Sequence, residues 1–77
     1  MKSVVESVIC PDGLRQLVIY VDGDLYSFVE DEWVTEERGN TGEMCSYWSP
    51  VRESGLYSPL EDARADAAEA VKWLRTL

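Results

Sequence analysis

The chain has 77 residues and a formal net charge of −8, made by 15 acidic and 7 basic residues, and it contains no histidine. This length predicts one small domain over residues 1–77, in which folding buries only about 60% of the unfolded surface. The absence of an imidazole excludes Ser-His-Asp and Cys-His nucleophilic mechanisms. The hydrophobic content of 45% predicts a folded chain rather than a disordered one.

Four extended segments are predicted from runs of β-branched, aliphatic and aromatic residues, at 4–10, 14–21, 24–35 and 43–49. The Pro-Asp-Gly sequence at 11–13 separates the first two and is a strong turn signal. Residues 36–42 have loop composition, and residues 50–57 are expected to form a second connection. Consecutive strands with short connections favour an antiparallel meander.

The second and third strands are expected to form a tight hairpin. Asp22-Gly23 predicts a two-residue type I′ loop, because glycine accepts a positive φ without penalty. This loop would set Ile19 opposite Tyr26 and Arg15 opposite Glu30, the second being an opposite-charge cross-strand pair.

The last part of the chain predicts an α-helix. Ser58 is a suitable N-cap, Pro59 suits the first helical position, and Glu61 would complete a capping box. An apolar stripe follows at spacings of three and four residues: Leu60, Ala63, Ala67, Ala70, Val71, Leu74 and Leu77. Lys72 and Arg75 would complement the helix dipole.

The predicted fold class is therefore α+β, a four-stranded antiparallel β-meander with one C-terminal helix packed on one face. The expected helix-facing residues are Leu17, Ile19, Val21, Tyr26 and Phe28. The opposite face is also apolar, at Val18, Tyr20, Leu25 and Val29. Because one helix cannot cover both sides of a sheet, this second face is a candidate interface for a second copy or another protein.

The negative charge is concentrated in one window. Between residues 22 and 43 there are eight acids and one base, which gives −7 of the total −8. Such a field favours a basic partner and disfavours direct binding to nucleic acid or an anionic membrane. Trp33 lies between Glu32 and Glu36 in the sequence and is a candidate anchor for a partner rich in Arg or Lys. The predicted partner-binding residues are Asp24, Glu30, Asp31, Glu32, Trp33, Glu36 and Glu37.

The sequence carries no recognisable catalytic or cofactor motif. No Gly-rich phosphate loop is present, and Cys10 and Cys45 are expected to be free thiols rather than metal ligands. We therefore expect neither an enzyme nor a cofactor. The apolar runs are short, and Glu6 lies where a signal peptide would have its apolar stretch, so we expect a cytoplasmic protein.

The leading interpretation is a small inhibitor or modulator that binds a basic surface of a larger partner. If that surface normally holds nucleic acid, the carboxylates stand in for phosphates. In size, charge and compactness the chain resembles the anti-CRISPR and anti-restriction proteins of phages and mobile elements, with which it shares no motif. Two alternatives remain open. One is a homodimeric housekeeping domain that uses its apolar sheet face, and the other is a small-ligand module framed by Tyr47, Trp48 and Tyr57.

Overall fold

A computed structural model describes residues 2–39 and 42–77. Its elements are β1 (Lys2–Ile9), β2 (Arg15–Asp22), β3 (Leu25–Arg38), β4 (Glu43–Glu53), α1 (Leu60–Ala70) and a 3₁₀ helix (Lys72–Thr76). The strands form one antiparallel sheet in the order β1-β2-β3-β4. The predicted ββββα architecture is confirmed.

The hairpin between β2 and β3 closes one residue later than predicted. Asp22 pairs with Leu25, so the two loop residues are Gly23 and Asp24. Gly23 has a φ of +63°, and no residue other than glycine has a positive φ within 2–39 and 42–77. A positive φ at the first loop position alone is the pattern of a type II′ turn, and the predicted type I′ turn is wrong.

This change moves every predicted β2–β3 partner by two residues. Ile19 lies opposite Phe28, and Arg15 lies opposite Glu32 rather than Glu30. Because side chains alternate with a period of two, a shift of two leaves each residue on its predicted face. The faces are therefore as expected, although the pairs are not.

The two C-terminal strands are longer than predicted. β3 continues to Arg38, three residues into the expected loop at 36–42, of which residues 40 and 41 lie outside the described residues. β4 continues to Glu53, four residues into the expected connection, through a register shift near Pro50. Proline is tolerated there because β4 is an edge strand.

β3 and β4 extend together beyond the first residue of β2. Arg15, the first residue of β2, pairs with Glu32, so residues 33–38 and 43–48 form a two-stranded ribbon. We refer to this part as the ribbon. The molecule is accordingly long and flat, with extents of 47 × 32 × 16 Å.

The helix differs from the prediction at both ends. Pro59 occupies the N-cap position with extended φ and ψ of −89° and 146°, and no side chain caps the helix, so Ser58 is not the N-cap. At the other end, Val71 has non-helical angles of −103° and 89°, and the chain continues as a 3₁₀ helix. The predicted stripe is therefore interrupted, and Leu77 is exposed.

The core lies between the helix and one face of the sheet. Its buried members are Leu17, Ile19, Phe28, Ala67 and Val71. The small alanine side chain brings the helix close to the sheet, and the Tyr57 ring stacks on the Phe28 ring at a centroid distance of 6.2 Å. The helix thus covers the face that the sequence predicted, and no helix in the described part of the chain lies over the other face.

Candidate functional site

Glu30, in the middle of the acidic window, is a buried structural residue. Only 4% of its surface is exposed. Its Oε2 accepts hydrogen bonds from Arg15 Nη1 at 3.1 Å and from Trp73 Nε1 at 2.9 Å, and its Oε1 lies 3.5 Å from Arg52 Nε. These groups neutralise the carboxylate within the fold, so Glu30 does not belong to an exposed acidic row.

Asp31 is also buried, on the other face of the sheet. It is 8% exposed, and its Oδ2 accepts a hydrogen bond from Gln16 Nε2 at 2.9 Å. The expectation that Glu30 and Asp31 contribute carboxylates to an exposed row is therefore wrong. The sequence feature that indicates these bonds is a pair of adjacent donors, Arg15 and Gln16, on the neighbouring strand.

The other members of the predicted set on β3, of which Glu32 is half-buried and the rest are exposed, are divided between two faces. Strand alternation places Glu32 and Glu36 on the helix side of β3, and Trp33 and Glu37 on the opposite side. Trp33 is therefore not flanked by the side chains of its sequence neighbours. Asp24 is exposed in the hairpin turn, at the far end of β3 from the ribbon.

On the helix side of the ribbon, one of these acids has an aromatic partner. Tyr47 donates a hydrogen bond from its hydroxyl to Glu36 Oε1 at 3.0 Å. This bond, followed by desolvation and the carboxylate charge, raises the pKa of Tyr47 above its usual value. Glu36 is thus exposed but already engaged.

Trp33 forms part of an aromatic pair on the helix-free side. Trp48 lies directly opposite it on β4, and the ring centroids are 5.1 Å apart at an interplanar angle of 66°. Trp33 remains 41% exposed, so the pair presents a preorganised apolar surface to solvent. The sequence identified Trp33 and missed its partner, because the pairing depends on the β3–β4 register.

Tyr47, Trp48 and Tyr57, the residues of the alternative small-ligand module, do not frame one pocket. Tyr47 and Trp48 are adjacent strand residues and point to opposite faces of the ribbon. Tyr57 packs against Phe28 beneath the helix. A hydrogen bond to the Asp66 carboxylate, together with burial, raises the pKa of Tyr57.

The remaining part of the helix-free face carries the four predicted apolar residues. Val18 is buried, Tyr20 and Val29 are half-buried, and Leu25 is exposed. The Lys2 ammonium lies 4.7 Å from the centroid of the Tyr20 ring. We refer to the surface formed by these residues together with Trp33 and Trp48 as the open face.

A shallow cavity of about 250 Å³ lies at the hairpin end of the open face. Leu25, Val29 and Leu56 supply its apolar wall, and Glu53 is at its rim. Glu53 is exposed, and its carboxylate has no hydrogen-bond or ion-pair partner among the described residues. Lys2 and Asp22 line the cavity as well, so one basic and two acidic side chains surround it.

Other kinds of site are not found in the described part of the chain. Cys10 and Cys45 are free and half-buried. Within residues 2–39 and 42–77, no group of three or more Cys, Asp or Glu side chains is arranged to hold a metal ion. No helix in these ranges is long and apolar enough to cross a membrane. No family model, curated protein or solved structure matches the chain.

Proposed function

We propose that this chain is a non-enzymatic protein-interaction module that binds a basic surface of a larger partner through its open face. The observation that carries this proposal is the exposed Trp33–Trp48 pair on a sheet face that no helix covers. Apolar and aromatic side chains held rigidly at a surface are typical of binding hot spots. The net charge of −8 then selects for a partner of opposite sign.

Two parts of the open face would make different contacts. The tryptophan pair offers ring faces to apolar groups or to a guanidinium plane. The cavity near Leu25 would accept a Lys or Arg side chain, with Glu53 pairing its charge. A partner with a basic side chain beside an apolar patch satisfies both parts at once.

The biological role that we propose is inhibition or modulation by occupancy. A protein that covers a basic surface blocks any nucleic acid that the surface would otherwise hold. The anti-CRISPR and anti-restriction proteins of phages and mobile elements act in this general way, and we propose the same mode of action for this chain. The two free thiols fit a reducing cytoplasm, where we propose that it acts.

Affinity capture with matched variants tests the proposal. Wild-type protein, Trp33→Ala and Glu53→Gln would be immobilised, and proteins that the wild type retains from a host lysate and Trp33→Ala does not would be identified. Glu61→Gln is the control, because it removes one acid from the first turn of the helix, away from the open face. We expect retention to be lost with Trp33→Ala, weakened with Glu53→Gln and unchanged in the control.

Calorimetry with the purified partner then measures affinity against salt. Trp33→Ala should weaken binding at least tenfold, since anchor tryptophans contribute about 2 kcal/mol or more. Raising the salt to about 1 M should weaken it further, because that concentration shortens the screening length to roughly 3 Å. Equal binding by all three variants, or affinity independent of salt, would refute the proposal. Sedimentation showing that the open face pairs with a second copy would refute it as well, and Tyr20→Glu would then split that dimer.

A further inference from the structure

A second cavity lies on the other side of the molecule, between the sheet and the C-terminal end of α1. Its volume is about 310 Å³. It is lined by Arg15, Glu30, Arg52, Ala70, Lys72 and Trp73. Three of the chain's seven basic residues therefore meet at one cavity of a strongly acidic protein.

The basic groups around this cavity exceed the acids. Arg15, Arg52 and Lys72 supply three positive charges and Glu30 one negative charge, which leaves +2 for the lining residues. Glu32 lies opposite Arg15 on the same face without lining the cavity, and including it leaves +1. The local charge thus has the opposite sign to that of the whole chain.

The guanidinium groups at the cavity keep N–H donors that do not contact Glu30. This carboxylate contacts Nη1 of Arg15 and Nε of Arg52, and each guanidinium carries further N–H groups. The two arginine side chains are 46% and 54% exposed, so those groups are accessible. Lys72 is exposed, and its ammonium group has no hydrogen-bond or ion-pair partner among the described residues.

The structure holds this arrangement in place from both sides. Glu30 positions the two guanidinium groups from the sheet, and Trp73 fixes the 3₁₀ helix by donating its indole N–H to the same carboxylate. The carbonyl groups at the end of α1 are partly capped, because Arg75 Nε donates to the Ala68 oxygen at 3.1 Å. This cap reduces the negative end of the helix dipole that would otherwise oppose an anion.

We propose that this cavity binds a small oxyanion, a carboxylate or a phosphate group on a small molecule. Guanidinium groups bind these planar or tetrahedral oxyanions through paired N–H donors, and Lys72 would add a point charge. The volume is at the lower end of the range for ligand pockets. A polyanion is excluded as the ligand, because a nucleic acid would meet the repulsion of the remaining acidic surface.

NMR titration of the full chain tests this proposal. The reporter is the Trp73 indole N–H resonance, because its hydrogen bond to Glu30 lies in the cavity wall. Inorganic phosphate and succinate are the two probes, in separate titrations at constant ionic strength, with chloride as the reference. We expect saturable shifts with at least one probe at a dissociation constant of about 1 mM or tighter, and the probe that binds identifies the class.

Variants that change the charge at the cavity should change the affinity for the anion in a predictable direction. Lys72→Gln should weaken binding about tenfold through loss of a charge-assisted hydrogen bond. Lys72→Arg should retain it, and Arg64→Gln is the control, since Arg64 pairs with Glu6 away from the cavity.

Two results would overturn the proposal. One is the absence of saturable shifts with both probes, and the other is equal affinity of wild type and Lys72→Gln. Because Lys72 lies on the opposite side from the open face, Lys72→Gln should leave partner capture unchanged. Failure of the anion site and failure of the protein-binding proposal are therefore distinguishable.

Discussion

Replacing Glu30 by glutamine tests whether the centre of the acidic window is structural. The substitution keeps the size of the side chain and removes its charge. Glutamine retains an acceptor for the Trp73 indole, while the charge-assisted contacts of Arg15 and Arg52 are lost. Both arginine side chains are about half exposed, so water replaces part of what they lose, and each contact counts as about 0.5–1 kcal/mol. The expected loss is about 1–2 kcal/mol in the free energy of unfolding.

Urea denaturation followed by tryptophan fluorescence measures this loss, and thermal unfolding should show a decrease of roughly 5–15 °C in Tm. Glu36→Gln is the matched control from the same strand, because Glu36 is exposed and its carboxylate accepts a hydrogen bond from the exposed Tyr47 hydroxyl. It should change stability by less than about 0.5 kcal/mol. If the two variants were equally stable, Glu30 would not be the buried ion-pair centre that the structure shows.

Three further substitutions test the turn, the core and the pH response. Gly23→Ala should cost about 1–2 kcal/mol in urea denaturation, because φ is +63° there and a Cβ disfavours that conformation. Ile19→Val should cost about 0.5–1.5 kcal/mol in the same assay, since Ile19 is almost fully buried and the removed methyl group leaves a void. The hydrogen bond to Asp66 raises the pKa of Tyr57 above its unfolded value of 10, so its stabilisation is complete below about pH 10 and is lost as the pH rises through the folded pKa. Tyr57→Phe should therefore be less stable at neutral pH and lose less stability in alkaline buffer than the wild type does.

The general fold could be predicted because its signals are local. Residues 11–13 and Gly23 indicate turns, and alternation along the strands indicates which side chains face the helix. The helix side chosen from the sequence is correct at Leu17, Ile19 and Phe28. These features depend on neighbours one to four residues apart, and short-range rules describe such neighbours well.

Register and burial of charge could not be predicted from the same signals. Asp22-Gly23 and Gly23-Asp24 are both acceptable two-residue loops, and they differ only in which loop position the glycine takes. The hydropathy of Glu30 indicates a surface residue. The α-helix ends before Val71, and the 3₁₀ helix that follows carries Trp73, 43 positions after Glu30 in the chain. The Trp73 indole N–H donates a hydrogen bond to the Glu30 carboxylate and covers it. Only the tertiary structure brings these groups together.

The distance between the exposed acids determines how strongly the affinity for a basic partner depends on salt. Asp24 in the hairpin turn and Glu36 in the ribbon are 12 residues apart along one extended strand, roughly 40 Å at the usual rise. The screening length at physiological salt is about 8 Å, so a partner experiences each end of the strand as an independent charge group. The central acids contribute little to either end, because Glu30 and Asp31 are buried and engaged. A small partner therefore contacts one group only and shows a shallow dependence of affinity on salt. A steep dependence instead requires a basic surface long enough to follow β3 from the turn to the ribbon, which makes the salt slope a measure of the partner's footprint.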